Sequence, residues 1–162
     1  MRELLPHAEK VAALLKRNGH TLAIAESSAG GLITAALIAV PGASAYCRGG
    51  VVTYTRKSWL AFTGMDEAAL MAIPGASEDY AFFQARTIRS RFRADWGLGE
   101  TGASGPTGNS YGHAAGHVCL AVSGVRERAV TIETGNADRV TNMYAFAQAG
   151  LALLAAVLEQ RE

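Results

Sequence analysis

Along residues 4–18 the apolar positions Leu4, Val11, Leu14 and Leu15 recur at helical spacing, with Glu9, Lys10, Lys16 and Arg17 on the other side. This pattern predicts an amphipathic helix that stops at Gly19. Residues 21–25, Thr-Leu-Ala-Ile-Ala, form a short apolar run suited to a buried strand. Residues 32–40 are apolar nearly all round and end at Pro41-Gly42. The two together predict a β-turn-α unit whose helix is enclosed by the fold. Residues 48–54 read as the next strand, and a short helical piece follows in the stretch KSWLAF before Gly64. Ser77 followed by Glu78 and Asp79 has the chemistry of an N-cap with acids in the first turn, so a helix is predicted over 77–94. A strand at 96–101 dissolves into a glycine-rich loop that runs to residue 116. Residues 117–123 and 128–134 flank a turn around Gly124 as an antiparallel hairpin. A last helix over 138–160 opens on Asp138 and carries Phe146, Leu151, Leu154 and Val157.

This order implies an α/β protein: one three-layer α/β/α domain over residues 1–162, around a mixed, mostly parallel sheet of about five strands, one of them antiparallel. Ligands of such sheets gather beyond the carboxyl ends of the parallel strands. Both polar glycine-rich segments, 26–31 and 101–116, lie in that position, which predicts a shared cleft. A chain of 162 residues is long enough to bury a full core without staples.

The balance of 15 basic and 14 acidic residues leaves a formal charge of +1, which provides no field for capturing nucleic acid or an anionic membrane. A small-molecule partner is expected, with no nucleic acid and no membrane, and homo-oligomerisation stays open. Cys47 and Cys119 form no C-x-x-C pair and read as small buried residues of neighbouring strands in a reducing compartment. The N-terminus carries charges where a signal peptide has its apolar core, and no membrane-length uncharged run is expected. A soluble, cytoplasmic protein follows as an expectation. The arginines Arg86, Arg89 and Arg93 share one helix face, read as a solvated side.

The stretch AIAESSAGG, residues 23–31, runs apolar into a carboxylate, two hydroxyls and a glycine pair. Serine and glycine are ordinary punctuation between strand and helix, and local physics alone favours that capping reading. A serine at a helix N-terminus also faces unpaired N–H groups and the positive end of the helix dipole, which hold phosphate or an oxyanion. A nucleophilic Ser27 needs a base, and none of the four histidines has an evident acidic orienter in the sequence. His7 and His20 read as surface residues. His113 and His117 have the spacing of a zinc pair, but Gly112 and Gly116 argue against the helix that would align them. No metal and no cofactor are expected.

Three ordered segments, AESSAGGLITAAL, VPGASAYCRGGVVTY and TGASGPTG, resemble the CinA C-terminal domain family, whose studied members are nicotinamide-mononucleotide deamidases. The resemblance covers nearly the whole chain. The family pattern A-E-S-[CL]-T-G-G is matched by Ala25, Glu26, Ser27, Gly30 and Gly31, with Ser28 and Ala29 departing. A second pattern is matched by Gly42, Ser44, Gly49 and Tyr54, and the pattern G-x-[AS]-G-P-x-G by Gly102, Ser104, Gly105, Pro106 and Gly108.

The resemblance implies a histidine-free serine hydrolase: Ser27 attacks the nicotinamide carboxamide, ammonia leaves, and water releases nicotinate mononucleotide from an acyl-enzyme. The implied catalytic residues are Ser27 with Tyr54 or Lys57 assisting. The implied substrate contacts are Glu26, Ser28, Gly30, Gly31, Gly102, Ser104, Gly105 and Arg139. The family places a lysine five residues after the tyrosine; here Trp59 stands there, and Lys57 is the nearest lysine. On a helix, positions 57 and 59 face opposite ways, about 200° apart, whereas an extended segment puts them on one face. The family's G-[DN]-R is replaced by Gly135-Asn136-Ala137, with Arg139 two residues later, and the loop tail by Asn109-Ser110-Tyr111-Gly112-His113. Three functions stand beside one another: an amidohydrolase on nicotinamide mononucleotide or a related amide; a divergent paralogue that binds a nucleotide or docks a partner without turnover; and another hydrolase using Ser27.

Overall fold

A computed structural model of the chain describes residues 1–160. The elements follow as α1 (Leu5–Asn18), β1 (Leu22–Glu26), α2 (Leu32–Ala39), β2 (Cys47–Val52), α3 (Arg56–Thr63), α4 (Glu67–Met71), α5 (Glu78–Phe92), β3 (Trp96–Ala103), β4 (His117–Ser123), β5 (Arg128–Glu133) and α6 (Arg139–Leu158). The strands lie in the order β2-β1-β3-β4-β5. β1 pairs in parallel with β2 and β3, and β4 runs antiparallel to both β3 and β5. The sheet is therefore mixed, with β4 as its one reversed strand, as the alternation of helices and strands and the hairpin predict.

Helices α1, α2 and α6 cover one face, where Leu15, Leu22, Ile24, Ile33, Leu98, Leu120, Phe146 and Leu154 form the main core. The other face carries α3, α4 and α5, with Trp59, Leu70, Tyr80 and Ile88 packed over Ala23 and Ala25. Each large apolar side chain so buried contributes roughly 1.5–3 kcal/mol. Helix α5 lies hard against β3 because two glycines admit it: a Cβ on Gly97 or Gly99 would stand 2.1 Å from the carbonyl oxygen of Ala85 or Ala81. That close approach fixes the depth at which β3 passes under the site.

Three expectations are corrected. The uncharged stretch of α6 is, by length and composition alone, sufficient to cross a membrane, against the expectation that no such run exists. It packs on α1, α2 and the sheet as a core helix, with half of its apolar window buried. Cys47 on β2 and Cys119 on β4 are not on neighbouring strands, since β1 and β3 lie between them, and both are free thiols. Arg86 is not simply solvated: its Nε donates to Glu127 at 2.9 Å and its Nη2 forms an ion pair with the same carboxylate. Helix α4 is too short to show a period in the sequence; the Asp66 carboxylate starts it by accepting from Ala69 N at 2.9 Å.

Candidate functional site

The turn between β1 and α2 is built on two buried carboxylates. Glu26, the last residue of β1, is fully buried and accepts from the N–H groups of Gly31 (3.0 Å), Ile33 (3.0 Å) and Thr34 (2.8 Å) and from the Thr34 hydroxyl (2.6 Å). It does the work of an N-cap from outside the helix, because Gly31 at the cap position, at φ 94°, has no side chain to offer. Glu100 on β3, also fully buried, accepts from Ser27 N at 2.8 Å, Ala29 N at 2.9 Å and the Ser28 hydroxyl. Burial raises both carboxyls, Glu100 to about 7; the bonds from Ser28, Ala29 and Ser27 oppose that rise and the charge of Glu26 adds to it.

With Glu26 capping and Glu100 tying down the backbone, Ser27 is released from the capping role. Its half-buried side chain lines a cleft of about 330 Å³ with Thr53, Tyr54, Arg56, Tyr80, Gly102 and Tyr111. Among the described residues no group hydrogen-bonds the Ser27 hydroxyl. The capping reading of the turn thus holds for Glu26 and not for the serine.

The facing wall comes from the start of α3. Thr55 and Ser58 form a capping box, which fixes α3 as a helix from Arg56 onward. On that helix Lys57 and Trp59 point opposite ways: Lys57 is exposed and does not line the cleft, and Trp59 is fully buried between Phe62 and Phe83. Arg56 spends its donors on Tyr111 Oη (3.1 Å) and on the carbonyls of Leu70 and Ile73 (both 2.6 Å), sandwiched between the Tyr80 and Tyr111 rings. Tyr54 is exposed and its hydroxyl accepts from Arg139 Nη2 at 2.7 Å. Arg139 also donates to the Gly105 carbonyl, so it bridges α6, the 104–116 loop and the cleft mouth.

The remaining predicted contacts sit around this cleft rather than in it. Ser28 lies beneath the floor; Ser104 and Gly105 are buried to one side, the Ser104 carbonyl accepting from Asn142 Nδ2 at 2.8 Å. Gly30 and Gly31 form the outer turn, with φ values of 69° and 94° that suit glycine. The structure brings Ser27, Tyr54 and Gly102 together, adds Arg139 through Tyr54, and leaves Lys57 outside.

Two groups were missed in the sequence. Glu100 is the only carboxylate in the otherwise apolar and glycine-rich run of β3, and that contrast was its one signal. His117 does have an acidic orienter: its Nδ1 pairs with Glu133 across the β4–β5 hairpin, and its Nε2 lies 2.8 Å from the Ala76 carbonyl. His113 stacks on it at 3.9 Å. This pair supports the 75–76 turn of the cleft wall and does not line the cleft with Ser27. Among the described residues no cluster of three or more ligating side chains forms a metal site.

A family model described as the CinA C-terminal domain matches residues 5–158. The chain belongs to the CinA C-terminal domain family. A CinA-like protein of Gloeobacter violaceus is 44% identical over 129 residues, 79% of this chain and 30% of the relative. One from Chlorobium limicola is 32% identical over 88% of this chain and 34% of its own length. The chain therefore spans about a third of the curated CinA relatives it matches. The crystal structure of a competence damage-inducible protein A from Klebsiella pneumoniae superposes with a TM-score of 0.89 at 25% identity, covering 97% of this chain and 98% of that one. A competence/damage inducible protein from Agrobacterium tumefaciens gives 0.87 at 28% identity, covering 97% and 96%.

Proposed function

We propose that this CinA-family domain binds a nicotinamide-nucleotide-type ligand in the Ser27 cleft and has lost the serine–lysine turnover that the family resemblance implies. The observation that carries this reading is the geometry of α3. Trp59 occupies the family's lysine position and is sealed in an aromatic cluster, while Lys57 is directed to solvent. A lysine acts as a base near neutrality only when burial or a neighbouring cation brings its pKa down from about 10.4. Lys57 is exposed and does not line the cleft that holds Ser27. The cleft still offers binding elements: aromatic rings from Tyr54, Tyr80 and Tyr111, and Arg139 at the mouth as the cation for a phosphate.

The full chain is titrated with nicotinamide mononucleotide by calorimetry, and ammonia is measured against Ser27→Ala. Saturable binding that Arg139→Ala weakens by about tenfold is expected, consistent with loss of one charge-assisted contact, with no ammonia above the Ser27→Ala control. Absence of binding refutes this reading.

A second reading, an amidohydrolase with Ser27 as nucleophile, is favoured by one observation: the Ser27 hydroxyl faces the cleft without a partner. Ammonia release that depends on Ser27 selects it, and Tyr54→Phe then tests whether the Tyr54 hydroxyl, which lines the same cleft, assists. The site lies in a domain packed as a single α/β unit, and a cytoplasmic location belongs to the same proposal.

A further inference from the structure

Ser28 is one of the two positions where the turn departs from the family pattern, and the structure gives its hydroxyl a partner: Glu100, from a strand more than seventy residues away in sequence. We propose that Glu100 is a positioning residue that holds or releases a proton beneath the Ser27 turn, so that the Ser28–Glu100 hydrogen bond reverses and the cleft floor exists in two forms. The inference rests on the reading of this cleft as a nucleotide site only for its ligand consequence.

The chemistry follows from the donors present. When Glu100 is ionised it is acceptor-only: Ser28 O–H donates to Oε1, and the N–H groups of Ser27 and Ala29 donate to Oε2. When Glu100 takes one proton from solvent, Oε1–H becomes a donor and Ser28 Oγ its acceptor. The Ser28 proton is then free to turn to another acceptor. The bonds to Oε2 also weaken, since a neutral carboxyl accepts less strongly than a carboxylate. Those bonds are what hold the backbone of Ser27.

The reversal reaches the cleft through Gly102, which lines it and whose missing Cβ would stand 3.0 Å from Ser28 Oγ. Burial pushes Glu100 up to about 7, so both forms are populated in neutral solution. The ionisable neighbours are few. Glu26 on β1 faces Glu100 and raises it, and Cys119 on β4 is a thiol itself pushed up by burial. Helix α2 carries no ionisable group. On α6, Arg139 is engaged with Gly105 and Tyr54, and the Tyr144 hydroxyl takes a bond from the N-terminal amine.

The test follows the backbone amides of Ser27 and Ala29 by NMR in the full chain, from about pH 5 to pH 9, a window that brackets the expected midpoint. Both are expected to titrate with one midpoint near 7, and Glu100→Gln, which cannot ionise, is expected to flatten them. Ser28→Ala removes a bond that favours the carboxylate, so its midpoint is expected to move upward. Nicotinamide mononucleotide is titrated in parallel, and its affinity is expected to change with that same midpoint in the wild type and not in Glu100→Gln. Wild-type amides that stay flat, or a Ser28→Ala midpoint that stays put or falls, overturn the inference even if the nucleotide binds. Titrating amides with no nucleotide binding at any pH leave the proton pair standing and refute the proposed function instead.

Discussion

The two walls of the Ser27 cleft are built on opposite physical terms. In the β1–α2 wall every buried charge is matched: Glu26 and Glu100 together accept seven hydrogen bonds, all from the turn and the first residues of α2. In the α3 wall a bulky apolar side chain fills the interior, and the indole N–H of Trp59 is buried with no partner among the described residues. The first wall is held by directional bonds to fixed acceptors, which set backbone positions. The second is held by packed rings, which fill volume and leave no room for a charged amine. A serine can therefore be presented to a cleft whose other side carries no lysine.

Removing the ring at the centre of the second wall tests that contrast most strongly. Trp59→Ala is expected to cost about 3–5 kcal/mol of stability, as for large aromatic deletions in a core, measured by urea unfolding. A loss below 1 kcal/mol would mean that α3 is held by its cap and by Arg56 rather than by the ring cluster. The first wall is tested through pH. Because Glu100 stands at about 7 in the folded chain and near 4.5 when unfolded, the folded state holds the extra proton between those values. Stability is therefore expected to fall as pH rises from 4.5 through 7, by about 3 kcal/mol in all. His113, held below its ordinary value first by burial and then by the charge of His117, works the other way, losing stability as pH falls below 6.5. Glu100→Gln isolates the carboxylate: its difference from wild type should grow across that window, and a constant difference would refute the assignment.

Smaller effects sharpen the same contrast. Glu26→Ala leaves three backbone N–H groups of the turn and α2 without their acceptor and is expected to cost about 2 kcal/mol, the upper range for a lost helix cap. Fraying confined to Gly31–Thr34 in hydrogen exchange would confirm that the cost is local. Lys57→Ala, on the same short helix as Trp59, is expected to change stability by less than about 0.5 kcal/mol, as for exposed surface positions, and to leave nucleotide binding unchanged. A measurable loss of binding would place Lys57 at the ligand after all.

The sheet and its layers were legible because their signals are local. The period of α1, the N-cap of Ser77 and the hairpin around Gly124 each depend on residues close in sequence, and each element formed where its pattern lay. The turn itself was also legible as a strand-to-helix junction with glycines suited to positive φ. What fills its hydrogen bonds was half hidden. The resemblance makes Glu26 a ligand contact, whereas in the fold its carboxylate accepts from Gly31, Ile33 and Thr34.

The rest was decided by contacts between distant segments. Glu100 reaches Ser27, Ser28 and Ala29 only because β1 and β3 pair in parallel in a register that sets Ala25 opposite Gly99, and His117 finds Glu133 only through the β4–β5 ladder. Spacing allowed Lys57 and Trp59 to share a face or to oppose each other. The Thr55–Ser58 capping box made the segment helical, and the hydrophobic effect sent the indole inward and the amine to water. By itself the sequence determined the elements, the family motifs and the placing of a serine at a strand end, since backbone propensity and periodicity act over a few residues. Only the tertiary structure decided which carboxylates lie under that serine and that no lysine stands beside it, because burial and pairing are properties of the assembled sheet.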